Sequence, residues 1–331
     1  MKRFYKKGIS LFLILLMSFP LCACKSDDSK ALTTVKLNEV AHSIFYAPMY
    51  VAIEKGYFED EGIELSLTTG FGADKTMAAV VSEDADVGFM GTEASIYAYT
   101  EGAKDHVINF AQLTQRAGNF VVARENADSF SYEDMIGKDV LGGRAGGTPE
   151  MVYEYVLREN GVSPSEVKID QSIDFGSTAA AFSGGQGDYT IEFEPSATAL
   201  EQSGDGYVVA SIGVDSGYLP YTAFCAKESY LKENADLIQH FTNALQKGMD
   251  YVAGHSPEEI ASVIVPQFSE TDLKLIVSRY YDQETWNTDL ILREEGYDLM
   301  LTILEESGVL SGAAPYEDLV NTDFAEKAST L

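Results

Sequence analysis

From residue 35 onward the chain alternates short apolar runs with stripes of helical spacing. Segment 35–40 reads as a strand, and 48–55 as a helix with Pro48 in its first turn, Met49, Ala52 and Ile53 on one face, and Gly56 as its stop. Segment 63–67 is the next strand, Met77, Val80 and Val81 form a helical stripe, 86–90 is another short apolar strand, and 92–100 is another helix. The same grammar restarts after 120–124. There 140–143 reads as a strand, a glycine-rich loop follows, and Thr148 caps a helix with Pro149 at its first position and Gly161 just past its end. Segments 167–169, 178–182, 189–193, 196–202 and 207–211 continue the alternation. Beyond Tyr230 the pattern is almost entirely helical, with Pro and Gly breaks near 254–256, 266 and 308–315. Such alternation predicts an α/β fold with parallel-rich sheet and helices on both faces. The economical topology is a first lobe over 35–119, a second over 120–220, and a return crossing with a helical tail over 221–331 packing on the first lobe. The crossings fall near Phe120 and Tyr221, and ligands in such sheets bind at the carboxyl ends of the strands, here facing a cleft.

The first residues are of another kind. Lys2, Arg3, Lys6 and Lys7 precede an apolar run over 9–19, and Leu21-Cys22-Ala23-Cys24 follows. The 16 residues from Ile9 to Cys24 fall short of a spanning helix, and small residues follow them, so the segment reads as a secretion signal. The pattern Leu-x-Ala-Cys resembles the bacterial lipobox. That resemblance implies acylation of Cys24, with 1–23 as signal peptide and 24–34 as lipid anchor and tether. Two acyl chains are enough for stable membrane anchoring. Cys225 is then the remaining free thiol, and its apolar-leaning surroundings over 221–226 read it as a small buried side chain.

Charge narrows the partners. With 52 Asp+Glu against 23 Lys+Arg the formal net charge is −29, which repels phosphate backbones, and no basic stripe offsets it, so no nucleic-acid partner is expected. The chain has no G-x-x-x-x-G-K-[ST], no G-x-G-x-x-G after a strand, no H-E-x-x-H and no G-x-S-x-G. His42, His106, His240 and His255 stand singly, so neither a metal nor a cofactor is expected, and no residue is nominated for catalysis.

What stands out is a ring of loops at strand ends. The first, 41–48, carries Phe45 and Tyr46 just before a helix N-terminus; the second carries Thr92 and Glu93. The third, 142–150, holds four glycines with Arg144, Gly147 and Thr148, and the fourth brings Glu192 and Glu194 to the end of a strand. Gln115 and Arg116, near the first crossing, complete the candidate set. Aromatic faces and carboxylates suit a nitrogen heterocycle with an exocyclic amine, whereas Arg144 and Arg116 suit an anion. Trp286 reads as a packing residue of the tail, and His42 as a hydrogen-bonded loop residue.

At these loops the sequence resembles a known family. The run from Tyr46 to Ile63 looks like the opening of the NitT/TauT and thiamine-pyrimidine-precursor (SsuA/THI5-like) solute-binding proteins, through Ala52, Lys55, Gly56, Tyr57, Phe58, Gly62 and Ile63. Asp86-Val-Gly-Phe89, the step over 132–140, and the segment over 182–188 with Glu194-Pro195 resemble later family motifs. The resemblance implies a type II periplasmic-binding-protein fold, with two lobes, a cleft and two crossing segments. It implies a non-enzymatic lipoprotein on the extracytoplasmic face of the cell membrane, monomeric, delivering a small-molecule solute to an ABC permease and its ATPase. The favoured solute is a nitrogen heterocycle such as a thiamine-pyrimidine precursor. The alternatives are a sulfonate, nitrate or other small anion, a THI5-like pyrimidine synthase, and a lipoprotein that presents its ligand to a sensor.

Overall fold

The computed structural model describes residues 31–126, 129–173, 175–269, 272–310 and 312–331. The expected signal peptide and the acylated Cys24 lie outside the described residues.

The first sheet is built from β1 (Thr33–Glu39), β2 (Ile63–Thr69), β3 (Val87–Met90) and β4 (Val107–Thr114), joined by α1 (Ala47–Glu54), α2 (Tyr57–Asp60), α3 (Ala73–Val81) and α4 (Glu93–Thr100). The chain then crosses to β5 (Asn119–Ala123), β6 (Asp139–Leu141), β7 (Lys168–Asp170), β8 (Tyr189–Phe193) and β9 (Tyr207–Ser211) of a second sheet. These are connected by α5 (Thr148–Glu159), α6 (Phe175–Ser183) and α7 (Ser196–Ser203), and α8 (Ile212–Asp215) leads back to β10 (Thr222–Lys227) in the first sheet. The tail is helical: α9 (Glu228–Glu233), α10 (Ala235–Gly254), α11 (Pro257–Ile264), α12 (Leu273–Asp282), α13 (Glu294–Glu306), α14 (Tyr316–Leu319) and α15 (Asp323–Ala328).

Strand orders are β2-β1-β3-β10-β4 and β7-β6-β8-β5-β9. The two sheets are mixed. β1 runs parallel to β2 and β3, and β6 to β7 and β8, as the alternation predicts. β10, however, is antiparallel to β3 and β4, and β5 to β8 and β9. The physical reason is the crossing itself: β5 follows β4 directly and β10 is preceded only by the single turn of α8, so neither is entered through the full crossover helix that a parallel strand needs. The carboxyl ends of the parallel strands and the first residues of β5 and β10 therefore share one edge of each sheet. β3 and β5 are buried along their whole length and read as continuous apolar runs, whereas β2 at the sheet edge alternates.

The tail does more than cover the first sheet. α10 packs along α1, α14 and α15 pack on β4, and Val320 bridges Asn109. α12 and the residue after it reach the second lobe: Arg279 pairs with Glu194 at 2.7 Å and with Glu201, and Gln283 receives a hydrogen bond from Ser211 Oγ at 2.7 Å. Arg158 of α5 pairs with Glu306 of α13 at 2.9 Å. One hydrophobic core runs through both lobes, with Phe45, Phe120, Tyr221 and Tyr280 in its middle.

Candidate ligand-binding site

The turn after β1 is set by Ser43, whose Oγ accepts the Phe45 N–H at 3.2 Å and starts a short helical turn over Ile44–Tyr46. This turn buries Phe45 and Tyr46. The Phe45 ring stands 5.3 Å from Tyr46, 5.7 Å from Tyr221, 5.1 Å from Tyr280 and 6.2 Å from Phe193 of the second lobe. Gly118 in the first crossing makes this possible, since a Cβ there would strike the rings of Phe45 and Phe193. Trp286 donates its indole N–H to the Phe45 carbonyl at 2.9 Å, a structural role as expected.

Glu93 opens α4 from the end of β3. Its carboxyl folds back over Gly91, where a Cβ would occupy the same space. The residue is 6% exposed. Burial raises its pKa, against the lowering influence of Thr148 and of its own backbone N–H. Thr148 belongs to the other lobe, so the two side chains face each other across the cleft. Although Thr148 is close enough to act on the carboxyl, neither Glu93 Oε2 nor Thr148 Oγ1 completes a hydrogen bond of good geometry. Asn119 Oδ1 and the Tyr221 hydroxyl are buried without partners as well. Asn119 Nδ2 donates to the Pro149 carbonyl at 3.3 Å, which fixes the amide orientation and leaves Oδ1 as an acceptor beside Thr148. Tyr221 lies within electrostatic reach of Glu93 and Tyr46, and burial keeps its phenol protonated. Four unsatisfied buried polar atoms, two from each lobe, thus collect against the Phe45–Tyr46 aromatic group. Each such atom costs about 1–3 kcal/mol unless something hydrogen-bonds to it.

The remaining candidates divide. Thr92 is buried, but its hydroxyl donates to the Pro220 carbonyl at 2.7 Å and ties α4 to the return crossing. Gln115 donates to the Glu284 carbonyl at 3.0 Å. Arg116 is occupied by the carbonyls of Gly213 and Val214 at 2.9 and 3.1 Å and lies 4.0 Å over the Tyr218 ring. Arg144 is exposed on its loop. Gly147, rather than Thr148, is the N-cap of α5: Thr148 is the first helical residue and makes no cap bond, which frees its hydroxyl for the cleft. Glu192 is buried with Thr190 at 2.6 Å and Thr178 beside it, and burial pushes its pKa up to about 7. The Glu194 carboxylate is spent on Arg279, the Thr198 hydroxyl at 2.9 Å and the Thr198 N–H at 2.9 Å, so it fastens the start of α7 instead of facing the cluster.

Sequence reasoning missed Asn119, Tyr221 and Glu150. Asn119 and Tyr221 carry one signal in common, a polar group at the edge of an otherwise apolar crossing strand. Glu150 is buried at the start of α5, where its carboxyl accepts the Gly146 N–H at 3.1 Å and a Gln171 amide bond; burial, with Glu154 nearby, pushes its pKa up to about 7. Tyr97 stands between Glu93 and Glu150 and reaches Met151 Sδ at 3.7 Å. A crevice of about 150 Å³ opens between the loop over 42–44, Glu194 and Pro195, and the tail residues 267–269. His42 sits there fully engaged, with Nε2 2.9 Å from the Gln267 carbonyl and Nδ1 2.9 Å from the Tyr50 hydroxyl. Cys225 is buried, its thiol directed at the Gly88 carbonyl. Among the described residues no group of three His, Cys, Asp or Glu is placed to hold a metal ion, and no helix is long and apolar enough to cross a membrane.

A family model described as NMT1/THI5 like matches residues 44–260. YtlA of Bacillus subtilis (strain 168), whose name describes a binding protein without giving a ligand, is 43% identical over 334 residues, covering 100% of this chain and 99% of its own. The riboflavin-binding protein RibY of Chloroflexus aurantiacus is 26% identical over 242 residues, 70% of this chain and 66% of its own. Among solved structures, the periplasmic aliphatic sulphonate-binding protein SsuA of Escherichia coli superposes with a TM-score of 0.71 at 16% identity, over 86% of this chain and 96% of that one. The periplasmic nitrate-binding protein NrtA of Synechocystis PCC 6803 gives 0.69 at 16% identity, over 90% and 89%. At such identities the likeness to SsuA and NrtA is one of fold.

Proposed function

The chain belongs to the NMT1/THI5-like family, and from that premise we propose that it captures a small nitrogen heterocycle, of the class of thiamine-pyrimidine precursors, between its lobes. It is a solute-binding protein of an ABC importer. In this reading it is tethered to the extracytoplasmic face of the membrane through acylated Cys24, works as a monomer, and hands its solute to the permease from the closed form. The single observation that carries the reading is the cross-lobe cluster: aromatic rings beside Glu93, Asn119, Thr148 and Tyr221, whose unpaired atoms ask for a partner that reaches both lobes at once. A solute making those bonds stabilises the closed arrangement, because neither lobe satisfies it alone. RibY, named for riboflavin, is a relative whose ligand is a nitrogen heterocycle. An anion reading would draw on Arg144, exposed on its loop, and on Arg116, whose terminal nitrogen is held by two carbonyls, whose plane lies over the Tyr218 ring and whose Nε–H is unpaired; neither is among the groups that face Glu93.

The test is a thermal-shift panel on the mature protein in detergent, with aminopyrimidines, thiamin and riboflavin against taurine, alkanesulfonates, nitrate and bicarbonate. At about 100 times its dissociation constant a cognate solute adds about 2.7 kcal/mol, a shift readily seen. Stabilisation by a pyrimidine or flavin is the expected result. Stabilisation confined to sulfonates, nitrate or bicarbonate overturns the heterocycle assignment.

A further inference from the structure

Resting on the reading of the cleft as a solute site, we propose that the cleft selects positive charge: its solute brings a cationic nitrogen group with several N–H donors, of the amidinium or protonated aminopyrimidine class, and Glu93 is its counter-ion.

The argument starts from the inventory of unsatisfied atoms. Asn119 Oδ1 can only accept, and so can Glu93 Oε2 once its carboxyl is ionised, while Thr148 Oγ1 and the Tyr221 hydroxyl accept or donate. A solute that pairs all four with Glu93 ionised must therefore supply at least two donors, and one of them meets a carboxylate. The groups facing Glu93 are Tyr46 from the turn after β1, Tyr97 one turn along α4, Tyr221 before β10 and Thr148 from α5, with Glu150 behind Tyr97. Every one is neutral or acidic, so no residue among them neutralises the carboxylate. A buried carboxylate without a cation either holds a proton or costs several kcal/mol, and burial does raise the Glu93 pKa. An amidinium arriving in the cleft takes the place of that proton. A sulfonate or carboxylate solute would instead set a second anion against Glu93 in a low-dielectric site. The formal charge of −29 adds a long-range field that draws cations toward the surface and repels anions. Gly91 belongs to the same device, because a Cβ there would take the space that the Glu93 carboxyl occupies.

The experiment uses the full chain in detergent and a near-isosteric series in which positive charge and N–H donors fall together: benzamidinium, benzamide and benzoate, with guanidinium as a cation without a ring. Thermal shifts are measured on the wild type and on Glu93→Gln across pH. Benzamidinium is expected to bind best and benzoate worst. Glu93→Gln weakens benzamidinium by about thirtyfold or more, as removal of one partner of a buried charge pair does, and leaves benzamide little changed. Because the cation displaces a proton, benzamidinium affinity rises from acid to neutral pH in the wild type and is flat in Glu93→Gln. Glu93→Gln itself stays folded, since it removes an unpaired charge. Equal or stronger binding of benzoate, a preference unchanged by Glu93→Gln, or no response to any of the four probes overturns the proposal. A neutral heterocycle that binds indifferently to Glu93→Gln defeats this proposal and keeps the heterocycle reading, whereas guanidinium binding without any ring compound does the reverse.

Discussion

At the scale of single residues, burial of acids without cations is a recurring theme, and Glu192 allows it to be measured at a second carboxyl. Its ordinary pKa of 4.5 is pushed up to about 7 by burial, with Thr190 and Thr178 opposing. The folded state thus holds a proton that the unfolded state has lost. Stability from this group is full below about pH 4.5 and falls as pH rises to about 7, by at most about 3.5 kcal/mol at about 1.4 kcal/mol per pH unit. Glu192→Gln keeps the acceptor for Thr190 and removes the ionisation. Its midpoint in urea should match wild type near pH 4 and exceed it increasingly up to about pH 7, then level off; a pH-independent difference would refute the assignment. Residues of this kind are the least legible in a sequence. Phe45, Tyr46, Glu93 and Thr148 announce themselves because they stand where a strand gives way to a helix. Glu194 stands in a similar place, yet Arg279, 85 positions along the chain, claims its carboxylate. Arg116 is claimed in the same way by carbonyls that only the return crossing brings near.

At the scale of elements, contact between α1 and α10 turns on one glycine. Gly248 lies in α10 where a Cβ would run into the Pro48 carbonyl. Two effects of Gly248→Ala compete: better helix propensity, about 1 kcal/mol, and a clash with backbone that has no rotamer to change, about 1–3 kcal/mol. The clash should win, lowering the urea midpoint, while Gly254→Ala in open space at the end of the same helix should leave it equal or raise it. A midpoint raised by Gly248→Ala would show that the two helices have room to part. Helix and parallel-strand positions were legible because periods of 3.6 and of short apolar runs survive in the sequence. β10 was not, since Thr222–Lys227 lies buried between β3 and β4 and shows no alternation. β4 was missed for a similar reason, with apolar residues on both of its faces.

At the scale of the molecule, the alternation and its break near Phe120 indicated two lobes with crossing chains. The tail's second attachment was hidden, because Arg279, Gln283 and Glu306 become ties to the second lobe only once α12 and α13 are laid across it. The proposed membrane anchor at Cys24 is separable from the site. Cys24→Ala should release the protein from the membrane fraction and leave solute affinity unchanged; retention in the membrane would count against acylation at that cysteine.

Trp286 is the sole tryptophan of the chain. Its indole N–H is held by the Phe45 carbonyl, and its ring stands 6.2 Å from Tyr280, inside the group of rings that joins the two lobes. The protein therefore carries its own optical probe at the joint. Light absorbed at the red edge excites this one side chain, and the colour of its emission reports whether water reaches the aromatic group. The proposed opening and closing of the cleft can be followed in real time in the unlabelled protein, with no ambiguity over which fluorophore is speaking.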